Sequence, residues 1–82
     1  MELKDTIEMM QSADYKERFK AEYYQTVIRF KKLNTMFVNW DKLDFTPTCP
    51  KHLFTLQLRA MYDYIEILKE RAKLEDIELE DI

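Results

Sequence analysis

Apolar side chains recur along this chain at intervals of three and four residues, the spacing that lines one face of a helix. In residues 1–13, Leu3, Ile7 and Met10 share one side and predict two helical turns. A start signal follows at Ser12-Ala13-Asp14, where Ser12 or Asp14 can accept from free amides and Glu17 stands three residues after Asp14, as in a capping box. Over residues 14–42, Phe19, Tyr23, Thr26, Phe30, Leu33, Phe37 and Trp40 alternate steps of four and three in a heptad-like seam. A helix of about 29 residues is roughly 43 Å long, more than a lone small globule needs. It calls for a partner helix.

Residues 43–49 break the pattern. Pro47 biases Thr46 away from the helical region, and Pro50 suits a first helical position with Cys49 or Thr48 as its cap. Phe45 is placed to fold back over the end of a hairpin. Periodicity resumes over residues 50–74, where Phe54, Leu58, Met61, Ile65, Leu68 and Ala72 form one row. Leu53, Leu56, Ala60, Tyr64, Ile67 and Leu74 form a second. A single partner helix covers one row; the other is an apolar patch that implies a protein interface. The first long helix has surplus positions too, in Tyr24, Val27 and Val38. The expected fold is therefore all-α and single-domain over 1–82: a short N-terminal helix, then a long antiparallel helical hairpin completed by homo-oligomerisation, with 75–82 a frayed acidic tail.

Composition narrows the function classes. At 82 residues the chain hides only about 60–65% of its unfolded surface, so a lone core is marginal. It has no glycine, which excludes phosphate-cradling glycine loops, dinucleotide fingerprints and nucleophile elbows. One cysteine rules out an internal disulfide, and no leader or long apolar run is read, so the expected setting is cytoplasmic with no membrane partner. The net charge of −3 conceals a basic stretch, with Lys16, Arg18, Lys20, Arg29, Lys31 and Lys32 against Glu17 and Glu22. Five acids and no base lie between Glu75 and Ile82. Such a balance argues against nucleic acid duplex binding but leaves room for one small anionic ligand.

Little in the chain supports catalysis or metal binding. Cys49 and His52 make half of a zinc pair, and no other Cys or His exists to complete four ligands. The same two as nucleophile and base lack an orienting acid and an oxyanion hole. Glu66 and Glu70 sit one turn apart, but Lys69 and Lys73 beside them make ordinary surface pairs. No catalytic residue, metal or cofactor is expected. Aromatics crowd the first half of the chain among the cations; heptad spacing favours core packing, while stacking on a base with Arg or Lys on phosphate stays open. Thr26 within the seam and Arg71 beside the second row are polar groups that call for partners.

Two stretches carry a resemblance. Asp14-Tyr15-Lys16-Glu17-Arg18-Phe19-Lys20-Ala21-Glu22-Tyr23-Tyr24-Gln25, and Leu43-Asp44-Phe45-Thr46-Pro47-Thr48-Cys49-Pro50 followed by Leu53, Gln57, Met61, Tyr64, Leu68, Arg71 and Ala72, resemble a family of small phage and prophage proteins related to a hypothetical protein of crAss-like phages. The likeness spans about Asp14 to Leu79; members often carry glycine near the C-terminal end, where this chain reads Leu74-Glu75-Asp76-Ile77-Glu78-Leu79. The helix–Pro turn–helix arrangement also looks like the hairpin domain of phage anti-CBASS and anti-Thoeris sponge proteins. Arg18-Phe19 matches their Arg-Phe pair, while the Tyr-His that should follow is absent.

That resemblance implies a homo-oligomer in the cytoplasm of an infected bacterium, binding a cyclic nucleotide or cyclic ADP-ribose-type signalling molecule between subunits without cleaving it. Tyr15 or Tyr24 would then stack the base, and Arg18, Arg29 and Lys32 would neutralise phosphate. Thr46 and Thr48 would bond ribose or phosphate near the hairpin tip. Glu22, Gln25 and Arg71 would form a polar network across subunits. The alternative is a helical protein–protein interaction module, an inhibitor or assembly factor whose exposed apolar rows dock on a host or phage protein.

Overall fold

The computed structural model describes all 82 residues. A 3-10 turn at Leu3–Thr6 runs into α1 (Ile7–Met10), followed by α2 (Tyr15–Val38), a 3-10 turn at Trp40–Lys42 and α3 (Lys51–Leu74), with no strand. The two long helices run antiparallel. Tyr15 meets Arg71 at one end, Phe30 stacks near Tyr62 in the middle, and Trp40 packs on Phe54 at the other. The molecule measures 42 × 24 × 19 Å, the long dimension set by two helices of 24 residues each.

The helix ends follow local chemistry. Asp14 caps α2, its carboxylate accepting from the Lys16 amide at 3.0 Å. Glu17 does not close a capping box; it pairs with Lys20 at 3.5 Å. Regular α-helix stops at Val38, short of the expected 42, because the Asn39 side chain donates to the Thr35 carbonyl at 2.8 Å and the chain tightens into a 3-10 turn. At the next start Pro50 is the cap residue and Lys51 the first helical one, and neither Cys49 nor Thr48 caps by a side-chain bond. Phe45 stays 55% exposed; Trp40, Phe37 and Phe54 close the hairpin end instead, with the Lys51 ammonium 5.1 Å from the Phe37 ring centre.

Only 12 of 82 residues are buried, so which face each helix hides decides the fold. On α3 the first row supplies the core through Leu58, Ile65, Leu68 and Ala72. On α2 the buried set is Phe19, Ala21, Tyr23, Tyr24, Val27 and Ile28, so Tyr24 and Val27 are not surplus. The N-terminal segment covers part of that face: the Gln25 amide donates to the fully buried Thr6 hydroxyl at 2.9 Å, and Thr6 donates on to the Leu3 carbonyl at 2.7 Å.

The tail covers the rest, and it is docked where fraying was expected. Asp76 takes a left-handed conformation with φ 58°, and the Ile77 amide donates to the Ala72 carbonyl at 2.8 Å, satisfying an end carbonyl of α3. This turn usually employs glycine, and the chain has none; aspartate is among the residues that tolerate it. The reversal drives Ile77 into the core at 6% exposure, with Leu79 and Ile82 packed behind it. Further on, the Glu80 amide donates to the Tyr24 hydroxyl at 2.9 Å and Lys31 bonds the Ile82 carbonyl.

Ile77→Ala should therefore destabilise the protein by about 2–4 kcal/mol in urea unfolding, whereas a frayed tail would register under about 0.5 kcal/mol. Asp76→Gly should do the reverse, adding roughly 0.5–1 kcal/mol by relieving the left-handed strain.

Candidate functional site

The first turn of α2 and the last turn of α3 lie side by side, and their side chains form one connected polar cluster. Capping by Asp14 starts α2 at Tyr15, which points the phenol at α3. One turn before the end of α3, Arg71 donates through Nε to Glu75 Oε2 at 3.1 Å, the i,i+4 spacing of a helical pair. A second guanidinium nitrogen donates to the Tyr15 hydroxyl at 3.0 Å, and that hydroxyl donates to Glu75 Oε1 at 2.5 Å. The guanidinium lies 5.0 Å over the Phe19 ring, and Tyr15 meets Phe19 edge-on at 6.2 Å. Beside them the Lys16 ammonium donates to the Asp76 carbonyl at 3.1 Å.

Charge and hydrogen bonding shift Tyr15, Arg71 and Glu75. The hydrogen bond to Glu75 holds the Tyr15 phenol above its ordinary value, aided by desolvation and the nearby negative charge. Arg71 is raised, first by its bond to Glu75. The Tyr15 hydroxyl donating to Glu75 holds that carboxyl below its ordinary value, with Arg71 adding to the effect. The result is a cation fixed on an aromatic floor, with a tyrosine at its edge and a carboxylate across its fork.

Of the residues expected to bind ligand, Tyr15 and Arg71 are brought together. Arg18 is one turn along, exposed, donating to the Ser12 carbonyl at 2.8 Å. Glu22 and Arg29 are exposed on α2, and with Tyr15 and Arg18 they follow helical spacing along one side. Gln25 faces the N-terminal segment through Thr6. Tyr24 is 3% exposed, its ring edge-on to Tyr23 and its hydroxyl taken by Glu80, so it offers no stacking face. Lys32 borders a separate hollow of about 450 Å³ with Lys31, Glu80 and Asp81. Thr46 and Thr48 are exposed in the hairpin turn, at the far end of the 42 Å molecule from Tyr15.

Glu75, Phe19 and Lys16 were missed as members of the cluster. The Arg71–Glu75 spacing was readable; what hid it was the assignment of Glu75 to a solvated tail. Phe19 reads as core, and its role as a floor for Arg71 appears only once the helices are paired. The hairpin end carries no comparable polar cluster: Cys49 is an exposed free thiol, and no group of three His, Cys, Asp or Glu side chains is placed to hold a metal ion. No helix is long and apolar enough to cross a membrane.

A family model described as Sequestin matches residues 13–74, which takes in α2, the hairpin turn and α3. The chain belongs to that family. No curated protein and no solved structure matches it. The matched span holds Tyr15, Phe19 and Arg71 and stops one residue before Glu75.

The shifts fix the pH window of the cluster. A depressed Glu75 contributes stability above its unfolded value that disappears as pH falls through its folded one. A raised Tyr15 contributes stability below 10.0 that disappears as pH rises through its folded value. In tyrosine-labelled NMR titration Tyr15 should ionise above its ordinary range, and Glu75→Ala should bring it down toward that range, since the largest cause of the rise is then gone and Arg71 favours the phenolate against the remaining desolvation.

Proposed function

We propose that this member of the Sequestin family is a phage-encoded, homo-oligomeric sponge that binds a cyclic nucleotide or cyclic ADP-ribose-type signal in the host cytoplasm and withholds it without cleaving it. The observation that carries this reading is the match to a family named for sequestering, over a span that contains the Tyr15–Phe19–Arg71 cluster. An anionic ligand fits that cluster chemically. Arg71 offers a planar fork for phosphate oxygens, held over an aromatic ring that limits its freedom before binding. Lys16 and Arg18 add positive charge at the start of α2, where the helix dipole also favours an anion.

In this reading Tyr15, 47% exposed, takes the stacking role, because Tyr24 is in the core. The ligand phosphate exchanges with Glu75 for the Arg71 fork. Glu22 and Arg29 extend the polar side of α2, while Thr46 and Thr48 reach this ligand only from another subunit. Sequestration requires no chemistry of the protein.

Isothermal titration with cyclic dinucleotides, cyclic trinucleotides and cyclic ADP-ribose isomers tests the reading. One class should bind tightly, lose affinity as salt rises, and be recovered intact after heating the complex. Arg71→Ala should weaken that binding by roughly 10–100-fold, the worth of charge-assisted bonds to phosphate, with the fold unchanged by circular dichroism. Silence across the panel from a folded protein would reject sequestration of these signals and favour the docking module.

A further inference from the structure

The second apolar row of α3 has no partner within the chain. Leu53, Leu56, Tyr64, Ile67 and Leu74 are all exposed, Leu56 at 60%, Ile67 at 56% and Leu74 at 88%. At about 100° per residue these positions, with Ala60 and Arg71, fall within about 40° of one line, and from 53 to 74 that line runs about 32 Å. Scattered apolar side chains on a surface are ordinary; a continuous helical row of them is an interface.

We infer that this row pairs with the same row of a second copy, the two α3 helices antiparallel about a two-fold axis near Asp63 and Tyr64. Three features of the row select that occupant and orientation. First, the row is close to symmetric about its midpoint: reversal sets Leu53 against the partner's Leu74, and Leu56 against the stem of the partner's Arg71. Second, volumes complement, because Ala60, the smallest residue of the row, falls opposite the larger, branched side chain of the partner's Ile67.

Third, the charges on one flank change sign along the helix. Arg59 lies on that flank in the first half and makes no ion pair in the chain, whereas Glu66 and Glu70 lie there in the second half. Each of these acids holds only a 3.4 Å pair with Lys69 or Lys73 of its own helix and is free to accept a second cation. Antiparallel pairing about that centre places Arg59 between the partner's Glu66 and the partner's Glu70 at both ends of the interface. Asp63 then approaches the partner's Asp63 near the axis, an unfavourable contact offset by Arg59 one turn away on each helix.

The interface deepens the sequestering reading in its self-association, though it is drawn from α3 alone and requires no ligand. It also changes the geometry of the site. Antiparallel pairing brings the partner's hairpin turn, with its Thr48, to about 12 Å along the axis from Arg71, so Thr46 and Thr48 approach the Tyr15–Arg71 end across subunits and not within one chain.

Analytical ultracentrifugation of the full chain should give a dimer, and Leu56→Glu or Ile67→Glu should give a monomer with unchanged helical signal and melting cooperativity. Arg59→Glu should weaken dimerisation about tenfold, and combining it with Glu66→Arg and Glu70→Arg should restore it. Orientation is read by oxidative cross-linking in a Cys49→Ser background. Tyr64→Cys should link to itself, whereas Leu53→Cys should link to Leu74→Cys in a mixed sample and not to itself. A monomeric wild type, an assembly indifferent to Ile67→Glu, or efficient self-linking of Leu53→Cys would each overturn the interface. A monomer that still captured a cyclic nucleotide would leave sequestration standing without this dimer; a dimer that bound nothing would do the opposite.

Discussion

A long helix in a small protein has more apolar surface than one neighbour can cover, and the structure is organised by how that excess is handled. The hairpin contact itself hides one row on each long helix. On the first half of α2 the remaining apolar positions are covered from within the chain, by the segment around Thr6 on one side and by Ile77, Leu79 and Ile82 on the other, while Val38 at its end stays exposed. Tyr24 and Val27 consequently belong to the core. No third segment crosses the outer row of α3. With so few residues buried, that uncovered row is a large fraction of the apolar surface available for stabilisation.

The turn that returns the tail ties the core to the polar cluster. Left-handed Asp76 places Ile77 under the helices and at the same time leaves Glu75 as the last residue to continue the α3 spiral, within reach of Arg71 and Tyr15. Its carbonyl also receives Lys16. Burial of one isoleucine and orientation of one arginine thus share three consecutive residues, so damage to the tail reaches the cluster without touching Arg71 itself.

The heptad steps made both long helices legible, along with their antiparallel pairing and the exposed row of α3, because period and residue type agreed over many turns. Ends were less legible. Asn39 and Pro50 shift the boundaries through single backbone and side-chain bonds that no periodicity encodes. The tail was misread because five acids in eight residues look solvated, although Ile77, Leu79 and Ile82 return within that stretch at short intervals. As for the site, Tyr15 and Arg71 were legible as an aromatic and a cation needing partners. Tyr24 was not, since spacing cannot say that a tail will cover it, and Thr46 and Thr48 enter the pocket only through the resemblance, near the hairpin tip, which sets no distance between them and Tyr15.

In the sequestering reading, Glu75 decides what kind of anion this cluster would accept. Without it, Arg71 would be a free surface cation, and binding would bear the whole cost of ordering its side chain. With it, the guanidinium is already aligned over Phe19, but any newcomer must outbid a carboxylate that holds two hydrogen bonds. A singly charged, strongly hydrated anion offers nothing Glu75 does not. A phosphate offers more oxygens on the same fork, and a base joined to it adds a stacking face for the exposed Tyr15 ring. In the sequestering reading, selectivity for a nucleotide over the bulk anions of a cell therefore comes from competition with a residue of the chain itself, in a protein whose net charge of −3 would otherwise repel the ligand.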